Sequence, residues 1–243
     1  MLVLALDTTT RAGSIAVVRA GDLLHLHAGD GSRPHAERLP GDLVAALGRA
    51  GFGLPEVDVF AVAIGPGSFT GLRIGIAVMQ GCAFAAGRPV VGVSALEAIA
   101  RAAAAAHGHA AGSRLGVWMD AQRQEVFSAL YDLTDEEDGT AVRVVEEPAV
   151  GTPAETAARW HRLLDGAWCP VAGDGAAKYA PALAHAAGAP VTTIDPPPLA
   201  PAIALIAGRK ASRGEGTLPH AIRPLYVRRP DAELARDRKR EPA

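Results

Sequence analysis

The amino-acid sequence predicts an α/β fold in which helices flank a mixed sheet. The chain opens with three short apolar segments separated by tight turns, which is typical of an antiparallel meander. Two further apolar segments, Val59–Ile64 and Val90–Val93, are separated by a helical stretch, which is typical of parallel strands joined by a crossover. Aromatic residues make up only 5% of the chain, so the core is predicted to be mainly alanine and aliphatic residues.

The first hundred residues predict the element order β-β-β-α-β-α-β-α. Pro40 lies in the first turns of the first helix, where its missing N–H does least harm, and Ser94 is a suitable N-cap for the last helix. The predicted elements are Leu2–Leu6, Ser14–Arg19, Leu23–Ala28, a helix from His35 to about Gly48, Val59–Ile64, a central helix after Thr70 that stops before Gly87, Val90–Val93, and a helix over Ala95–Ala106.

The second half of the sequence follows the same order, with a meander and then alternating helices and strands. This echo suggests an internal duplication. The predicted elements are strands Leu115–Met119 and Glu125–Tyr131, an acidic turn at Asp132–Gly139, a strand at Val142–Glu146, a helix at Thr152–Leu164, a strand at Trp168–Ala172, a helix from about Ala176, a strand near Pro190–Ile194, and a last helix at Leu199–Ala211.

These elements predict two lobes and a tail. We expect an N-terminal lobe over residues 1–106, to which a returning helix at about 199–211 is added, and a C-terminal lobe over residues 112–198. The mixed charged tail, residues 229–243, is predicted to be disordered, and its basic side chains are candidates for contacts with nucleic-acid phosphates.

Composition limits the classes of function. A net charge of -2 provides no overall basic field for nucleic acid, so an RNA contact would be local or supplied by a partner. Cys82 and Cys169 form no CxxC pair, which argues against a disulfide framework and a structural zinc site. The apolar start Met1–Leu6 is too short for a signal peptide, and the uncharged part of the central helix beyond Arg73 is short of a membrane span. We therefore expect a cytoplasmic protein without membrane contact.

The central segment Ile64–Gly81 carries a Gly-Pro-Gly turn and then an apolar helix with three glycines. Each glycine inside a helix costs about 1 kcal/mol relative to alanine, so another interaction must offset the cost. Close approach of a second helix to the Gly71 and Gly75 face is one explanation, and a phosphate cradle at the helix start is the other. The glycine spacing matches neither GxGxxG nor the Walker motif, which weakens the cradle.

A single carboxylate follows the first strand. Asp7, beside Thr8 and Thr9, could orient Mg²⁺ and a nucleotide phosphate, or it could simply accept hydrogen bonds from its own turn. His25 and His27 share one face of the third strand, but no third metal ligand is evident near them. The residues alone leave the two interpretations of Asp7 open.

Several motifs together closely resemble the bacterial TsaB (YeaZ) family. They are LALDTTTRAGSIAVV, PHAERLP, AIGPGSFTGLRIGIAVMQGCAFAAGRPVVGVSALEAIA, MDAQRQEVFSALY and the late Pro224–Arg228. The resemblance is strong from Met1 to about Tyr131 and weak beyond it. It implies a two-lobed, actin-like and Hsp70-like (ASKHA) fold, in which each lobe is a mixed sheet with flanking helices.

The resemblance also implies a role in forming N6-threonylcarbamoyladenosine (t6A) at position 37 of tRNAs that read codons starting with A. A TsaB protein would be the accessory subunit that pairs with the catalytic subunit TsaD, together with the ATPase TsaE. It would hold no cofactor tightly, because ATP and Mg²⁺ are handled by the partner subunits. In isolation it would be a homodimer, and it would reach tRNA only through the complex.

The resemblance places the partner surface on His35–Leu47 and Thr70–Ala86, the first two helices of the N-terminal lobe. The glycines could instead pack against their own sheet. A vestigial nucleotide site would consist of Asp7, Thr8 and Thr9. The candidate partner-binding residues are His35, Arg38, Leu39, Gly71, Leu72, Gly75, Ile76, Val78 and Met79.

The chain departs from the catalytic relative at one helix. TsaD carries an HxxxH metal pair on the helix after the strand that corresponds to Val90–Val93, whereas Ser94–Ala100 contains no histidine here. We therefore expect no metal site and no catalysis by this chain. The alternative is a nucleotide-hydrolysing or metallopeptidase-like enzyme that uses Asp7. Gln122 and Phe127 also stand where the family often has arginine and tyrosine.

Overall fold

A computed structural model describes residues 1–136 and 139–228 and contains two five-stranded mixed sheets with flanking helices. We refer to each sheet with its helices as a lobe. The strands are β1 (Leu2–Asp7), β2 (Ser14–Arg19), β3 (Asp22–Ala28), β4 (Val59–Gly65), β5 (Val90–Ser94), β6 (Arg114–Asp120), β7 (Val126–Glu136), β8 (Gly139–Gly151), β9 (Val171–Ala172) and β10 (Thr193–Ile194). The helices are α1 (His35–Arg49), α2 (Phe69–Ala86), α3 (Ala95–His107), α4 (Pro153–Leu163), α5 (Asp174–Lys178), α6 (Ala180–Ala187) and α7 (Ala200–Ser212), with single 3₁₀ turns at Leu54–Glu56 and Pro219–Ala221.

The strand order of the first sheet is β3-β2-β1-β4-β5. The strands β1, β2 and β3 form the antiparallel meander that the sequence predicts, and β4 and β5 add in parallel beside β1. Leu4 of β1 lies opposite Val17 on one side and Phe60 on the other. Central β1 is buried along its whole length, which explains its unbroken apolar sequence.

The second sheet repeats this topology. Its order, β8-β7-β6-β9-β10, again places the first strand of a meander at the centre and adds two parallel strands beyond it. The internal duplication suggested by the sequence is therefore present in the strand order, and the prediction of a two-lobed α/β fold with mixed sheets is confirmed.

Helices cover both faces of the first sheet. α1 and α2 enclose one apolar cluster that contains Leu4, Phe60 and Met79. On the other face α7 packs against β1 and β2, and α3 contacts strands of both sheets. A second apolar cluster, with Ala5 and Leu96 among its members, therefore runs from the first sheet into the second.

One predicted turn is wrong. Strand β7 continues to Glu136 through the acidic segment that the sequence places in a turn at Asp132–Gly139. Asp132 is compatible with the strand because it accepts hydrogen bonds from Arg114 on β6 (2.7 Å) and Arg143 on β8 (2.7 Å).

The predicted disordered tail, residues 229–243, lies outside the described residues.

Among the residues that the structure describes, one helix has the length and composition of a membrane span. This is α2, which has 18 residues and begins before the helix predicted after Thr70. Core helices of soluble proteins share these properties, and α2 packs on β4 with Leu72, Met79 and Ala83 buried. Its apolar character therefore has an explanation within the fold.

Candidate functional site

A cleft of about 1000 Å³ is lined by residues of both lobes. The first lobe contributes the loop after β1 and the turn between β4 and α2. The second contributes the turn between β6 and β7, together with Asp174. Carboxyl ends of β1, β4 and β6 meet here, which is the usual position of ligand sites in α/β sheets. The cleft is therefore the candidate functional site.

Asp7, at the end of β1, accepts hydrogen bonds from its own turn. The Thr9 backbone N–H and the Thr9 hydroxyl donate to Asp7 Oδ1 at 2.8 and 2.7 Å. Only 3% of Asp7 is exposed, and this burial raises the pKa of its carboxyl group although the Thr9 hydrogen bonds oppose the shift. The interpretation of Asp7 as a turn residue therefore describes its contacts.

The glycines of α2 differ in their surroundings. Gly71 and Gly75 are buried, and a Cβ atom on either would overlap the Thr8 carbonyl or hydroxyl oxygen. They let the loop after β1 approach the helix, so their small size already has an explanation within the chain. Gly81 is different, because no atom lies within 4 Å of the position its Cβ would occupy.

Two amides at the start of α2 are already hydrogen-bonded within the chain. Ser68 caps the helix by accepting from the Gly71 N–H at 3.2 Å, and its own N–H donates to the Thr9 carbonyl at 2.9 Å. The Thr9 carbonyl therefore occupies the Ser68 amide, whereas no hydrogen-bond partner is found for the Phe69 and Thr70 amides among the described residues. The nucleotide site of Asp7, Thr8 and Thr9 stays a prediction.

Most of the predicted partner-binding side chains point into the core. His35 and Val78 are partly exposed. The other candidates are buried in the fold, so the exposed surface of the two helices is formed by other residues. The buried candidates are Arg38, Leu39, Gly71, Leu72, Gly75, Ile76 and Met79.

The exposed face of α1 and α2, hereafter the helix face, consists of other residues. Val44 is 73% exposed and Phe84 is 81% exposed, which is unusual for large apolar side chains. Small residues surround them at helical spacing. The helix face comprises Gly41, Val44, Ala45 and Gly48 of α1, and Arg73, Ala77, Gly81 and Phe84 of α2.

His35 and Arg38 hold the loop after β1 in place. Buried Arg38 donates to Asp42 (2.9 Å), to the Ala12 carbonyl and to His35 Nδ1 (3.0 Å). A guanidinium group only donates, so His35 Nδ1 must accept, and the proton on Nε2 is then donated to the Thr10 carbonyl (3.0 Å). These two side chains therefore have a role within the fold.

In the second lobe, the carboxylate at the end of the central strand also accepts hydrogen bonds from the protein. Asp120, at the end of β6, accepts from Lys178 Nζ (2.7 Å) and from the Gln122 backbone and side-chain N–H groups (3.1 and 3.0 Å). Its backbone N–H donates to Asp174 (2.9 Å). Gln122, one of the departures from the family pattern, therefore stabilises this turn.

The sequence motifs include the last described segment, Pro224–Arg228, but do not predict its contacts. Arg228 donates to the Ala121 carbonyl (2.9 Å) and to the Glu125 carboxylate, and its guanidinium group lies 5.5 Å from the centre of the Phe127 ring. Phe127 thus retains an aromatic contact that needs no hydroxyl group. A resemblance restricted to short motifs shows that Arg228 matches the family but gives no indication of what it touches.

No group of three potential metal ligands is found among the residues that the structure describes. Helix α3 begins at Ala95 with Ser94 as its cap, and His107 is in its last turn. The first turns of α3 therefore carry no histidine pair that could hold a metal.

Comparisons with known proteins identify relatives along the whole chain. The family model for TsaD, tRNA N6-adenosine threonylcarbamoyltransferase, matches residues 29–159. An uncharacterized protein of Mycobacterium tuberculosis is 36% identical over 95% of this chain and 93% of its own length. The Escherichia coli tRNA threonylcarbamoyladenosine biosynthesis protein TsaB is 37% identical over 54% of this chain and 55% of its own. The solved structure of YeaZ from Pseudomonas aeruginosa is 32% identical, with a TM-score of 0.75 over 93% of this chain and 99% of that one.

Proposed function

This chain belongs to the TsaB (YeaZ) family, and we propose on that basis that it acts in t6A biosynthesis as a non-catalytic accessory protein. Its relative in Escherichia coli is named for the biosynthesis of threonylcarbamoyladenosine in tRNA. The observation that carries the proposal is the combination of this family membership with a cleft in which both oxygens of Asp120 and one oxygen of Asp7 already accept hydrogen bonds from the protein's own groups.

Carboxylates that already accept hydrogen bonds within the chain favour an accessory role over nucleotide hydrolysis. A hydrolase of this kind needs free carboxylate oxygens for Mg²⁺ and open amides for phosphate. Here both oxygens of Asp120 accept from Gln122 or Lys178, and Asp7 Oδ1 accepts twice from Thr9. The Ser68 amide donates to the Thr9 carbonyl, and the Gly71 amide donates to the Ser68 hydroxyl group. ATP and Mg²⁺ would then be handled by the partner subunits.

The partner is proposed to be TsaD, bound at the helix face, with TsaE joining the assembly. Exposed Val44 and Phe84 offer apolar area, and glycine and alanine around them allow close approach of helices. The same face would form a homodimer when TsaD is absent, because one apolar patch can serve either partner. Contact with tRNA would be made through the complex, in the cytoplasm.

Reconstitution tests the proposed function directly. TsaD, TsaE, tRNA and the substrates for threonylcarbamoyl transfer are incubated with and without this chain, and modified adenosine is followed by mass spectrometry. We expect t6A only when all proteins are present. Transfer by TsaD and TsaE at the same rate without this chain, or by this chain alone, would contradict an accessory role.

The helix face is tested by charge insertion. Phe84→Arg replaces the most exposed apolar side chain of the helix face with a charge, so co-purification with TsaD should be lost while the thermal stability of the isolated chain stays close to that of the parent. Leu163→Arg is the matched control, because Leu163 is 50% exposed on α4 of the other lobe. Retained pairing in both Phe84→Arg and Val44→Arg would place the partner elsewhere.

A further inference from the structure

The C-terminal strap, defined here as Ile222–Arg228, connects the two lobes along the cleft. Leu225, Tyr226, Val227 and Arg228 all line that cleft. The strap follows α7 and the 3₁₀ turn Pro219–Ala221, which contacts α2, so it starts on the first lobe. Its far end reaches the second lobe.

Three contacts attach the strap to the first lobe. The Leu225 N–H donates to the Ile64 carbonyl at 2.7 Å. The Tyr226 hydroxyl accepts from Arg73 Nε at 3.1 Å, and the Tyr226 ring lies 5.7 Å from that of Phe69. Gly65 permits this approach, since a Cβ there would crowd the Leu225 carbonyl.

Arg228 attaches the strap to the second lobe. Its two terminal nitrogens donate to the Ala121 carbonyl and the Glu125 carboxylate, one on each side of the turn between β6 and β7. Gln122, Arg123 and Gln124 in that turn all have positive φ, at 59°, 55° and 61°. Such a backbone costs free energy in every non-glycine residue, and Arg228 adds its contacts to the Ala121 N–H to Glu125 carbonyl hydrogen bond (3.0 Å) that joins the two ends of the turn.

The lobes also meet in the apolar cluster around α3 and at a side-chain hydrogen bond between Tyr131 and Ser94, two residues that do not line the cleft. Apolar packing is non-directional and tolerates sliding or hinge motion between packed elements. The strap adds directed hydrogen bonds at the cleft. A rotation that opens the cleft would therefore have to break the bonds of Arg228 or those of Leu225 and Tyr226.

We propose that the C-terminal strap is a clasp that fixes the angle between the two lobes and so sets the width of the cleft. The proposal concerns this chain alone and does not depend on its role in tRNA modification. Release of Arg228 would leave the first-lobe attachments in place and free the turn between β6 and β7.

Electron-paramagnetic-resonance distance measurements can test the clasp. Spin labels are attached to Ala36→Cys and Ala177→Cys, two exposed positions of opposite lobes; Ala36 follows the cleft residue His35, and Ala177 lies three positions after the cleft residue Asp174. The background carries Cys82→Ala and Cys169→Ala. Arg228→Ala is compared with Arg223→Ala, whose guanidinium group donates to the nearby His220 and Ile222 carbonyls.

We expect Arg228→Ala to lengthen and broaden the interlobe distance distribution, and Arg223→Ala to leave it unchanged. Amide exchange in Ala121–Glu125 should become about tenfold faster or more in Arg228→Ala, because a hydrogen-bonded charge is lost. Arg228→Lys, which keeps the charge but not the two-pronged contact, should give an intermediate distribution and serves if the alanine variant folds poorly. The clasp would be overturned if Arg228→Lys and the double variant Arg228→Ala, Tyr226→Phe both gave the interlobe distances of the parent protein.

Discussion

At the scale of single residues, burial decides what each glycine of α2 does. Gly75 is packed against Thr8, whereas Gly81 faces open space on the same helix. The sequence identifies both as costly helix residues but cannot tell them apart, because the burying group lies on a loop more than sixty positions away. The explanation for Gly75 is close packing within the chain, and a partner remains proposed only for the exposed face.

The two glycines predict opposite effects of the same substitution. Gly75→Ala should destabilise the protein by about 1–3 kcal/mol, because the added methyl group has no room beside Thr8. Gly81→Ala should stabilise it by up to about 1 kcal/mol, since alanine is the better helix former. Urea unfolding of both variants measures the difference. Equal midpoints would show that the Thr8 contact is loose.

Two carboxylates predict opposite responses to pH. The Arg114 hydrogen bond lowers the pKa of Asp132, so its stabilisation is present above the unfolded-state pKa and is lost as pH falls through the folded-state pKa. Burial raises the pKa of Asp7, so its contribution is present below the unfolded-state pKa and is lost as pH rises through the folded-state pKa.

Unfolding between pH 3 and 7 should therefore separate two substitutions. Asp132→Asn should cost about 1 kcal/mol at pH 7 and become nearly neutral in acid. Asp7→Asn keeps an oxygen for Thr9 and removes a buried charge, so it should be neutral or stabilising at pH 7 and lose that advantage in acid. Parallel pH profiles for the two variants would contradict these assignments.

At the scale of elements, the sequence predicts where helices and strands lie better than which face is buried. The helix after Thr70 and the strand at Val59–Ile64 match α2 and β4 closely. However, α2 is apolar on nearly every side, so periodicity could not separate its core face from its exposed face. The resemblance places the partner surface on Thr70–Ala86 as a whole, and only the structure separates buried Leu72 and Met79 from exposed Phe84 within that range.

The turn between β6 and β7 also lay beyond sequence reasoning. Three consecutive left-handed residues without a glycine are rare, and no local pattern indicates them. Gln124→Gly should therefore stabilise the protein by about 1 kcal/mol, because glycine adopts this backbone without strain. Gln124→Ala is the control and should be close to neutral. Thermal unfolding measures both, and equal melting temperatures would mean that the turn carries little strain.

At the scale of the whole molecule, strand order was predictable and the join between lobes was not. Hairpin turns and crossovers specify order locally, whereas α3 contacts strands from both sheets, and the strap links Ile64 to Ala121. Such contacts depend on residues far apart in the chain. Sequence patterns describe each lobe but not the angle between them.

The shared apolar cluster predicts that the lobes unfold together. All three tryptophans, Trp118, Trp160 and Trp168, belong to the second lobe, so their fluorescence reports on that lobe alone. Far-ultraviolet circular dichroism reports on both. The two probes should give the same denaturation midpoint. A lower midpoint for either probe would show that the cluster around α3 does not couple the lobes.

The repeated topology places two carboxylates at equivalent positions in the two lobes, and this has a consequence for the substitutions that would free them. Asp7 and Asp120 occupy equivalent ends of the two central strands, yet a threonine hydroxyl group occupies one and a lysine ammonium group the other. Because the two closures use different chemistry in different lobes, no single substitution reopens both. We therefore expect that freeing both strand-end carboxylates would require substitutions in both lobes.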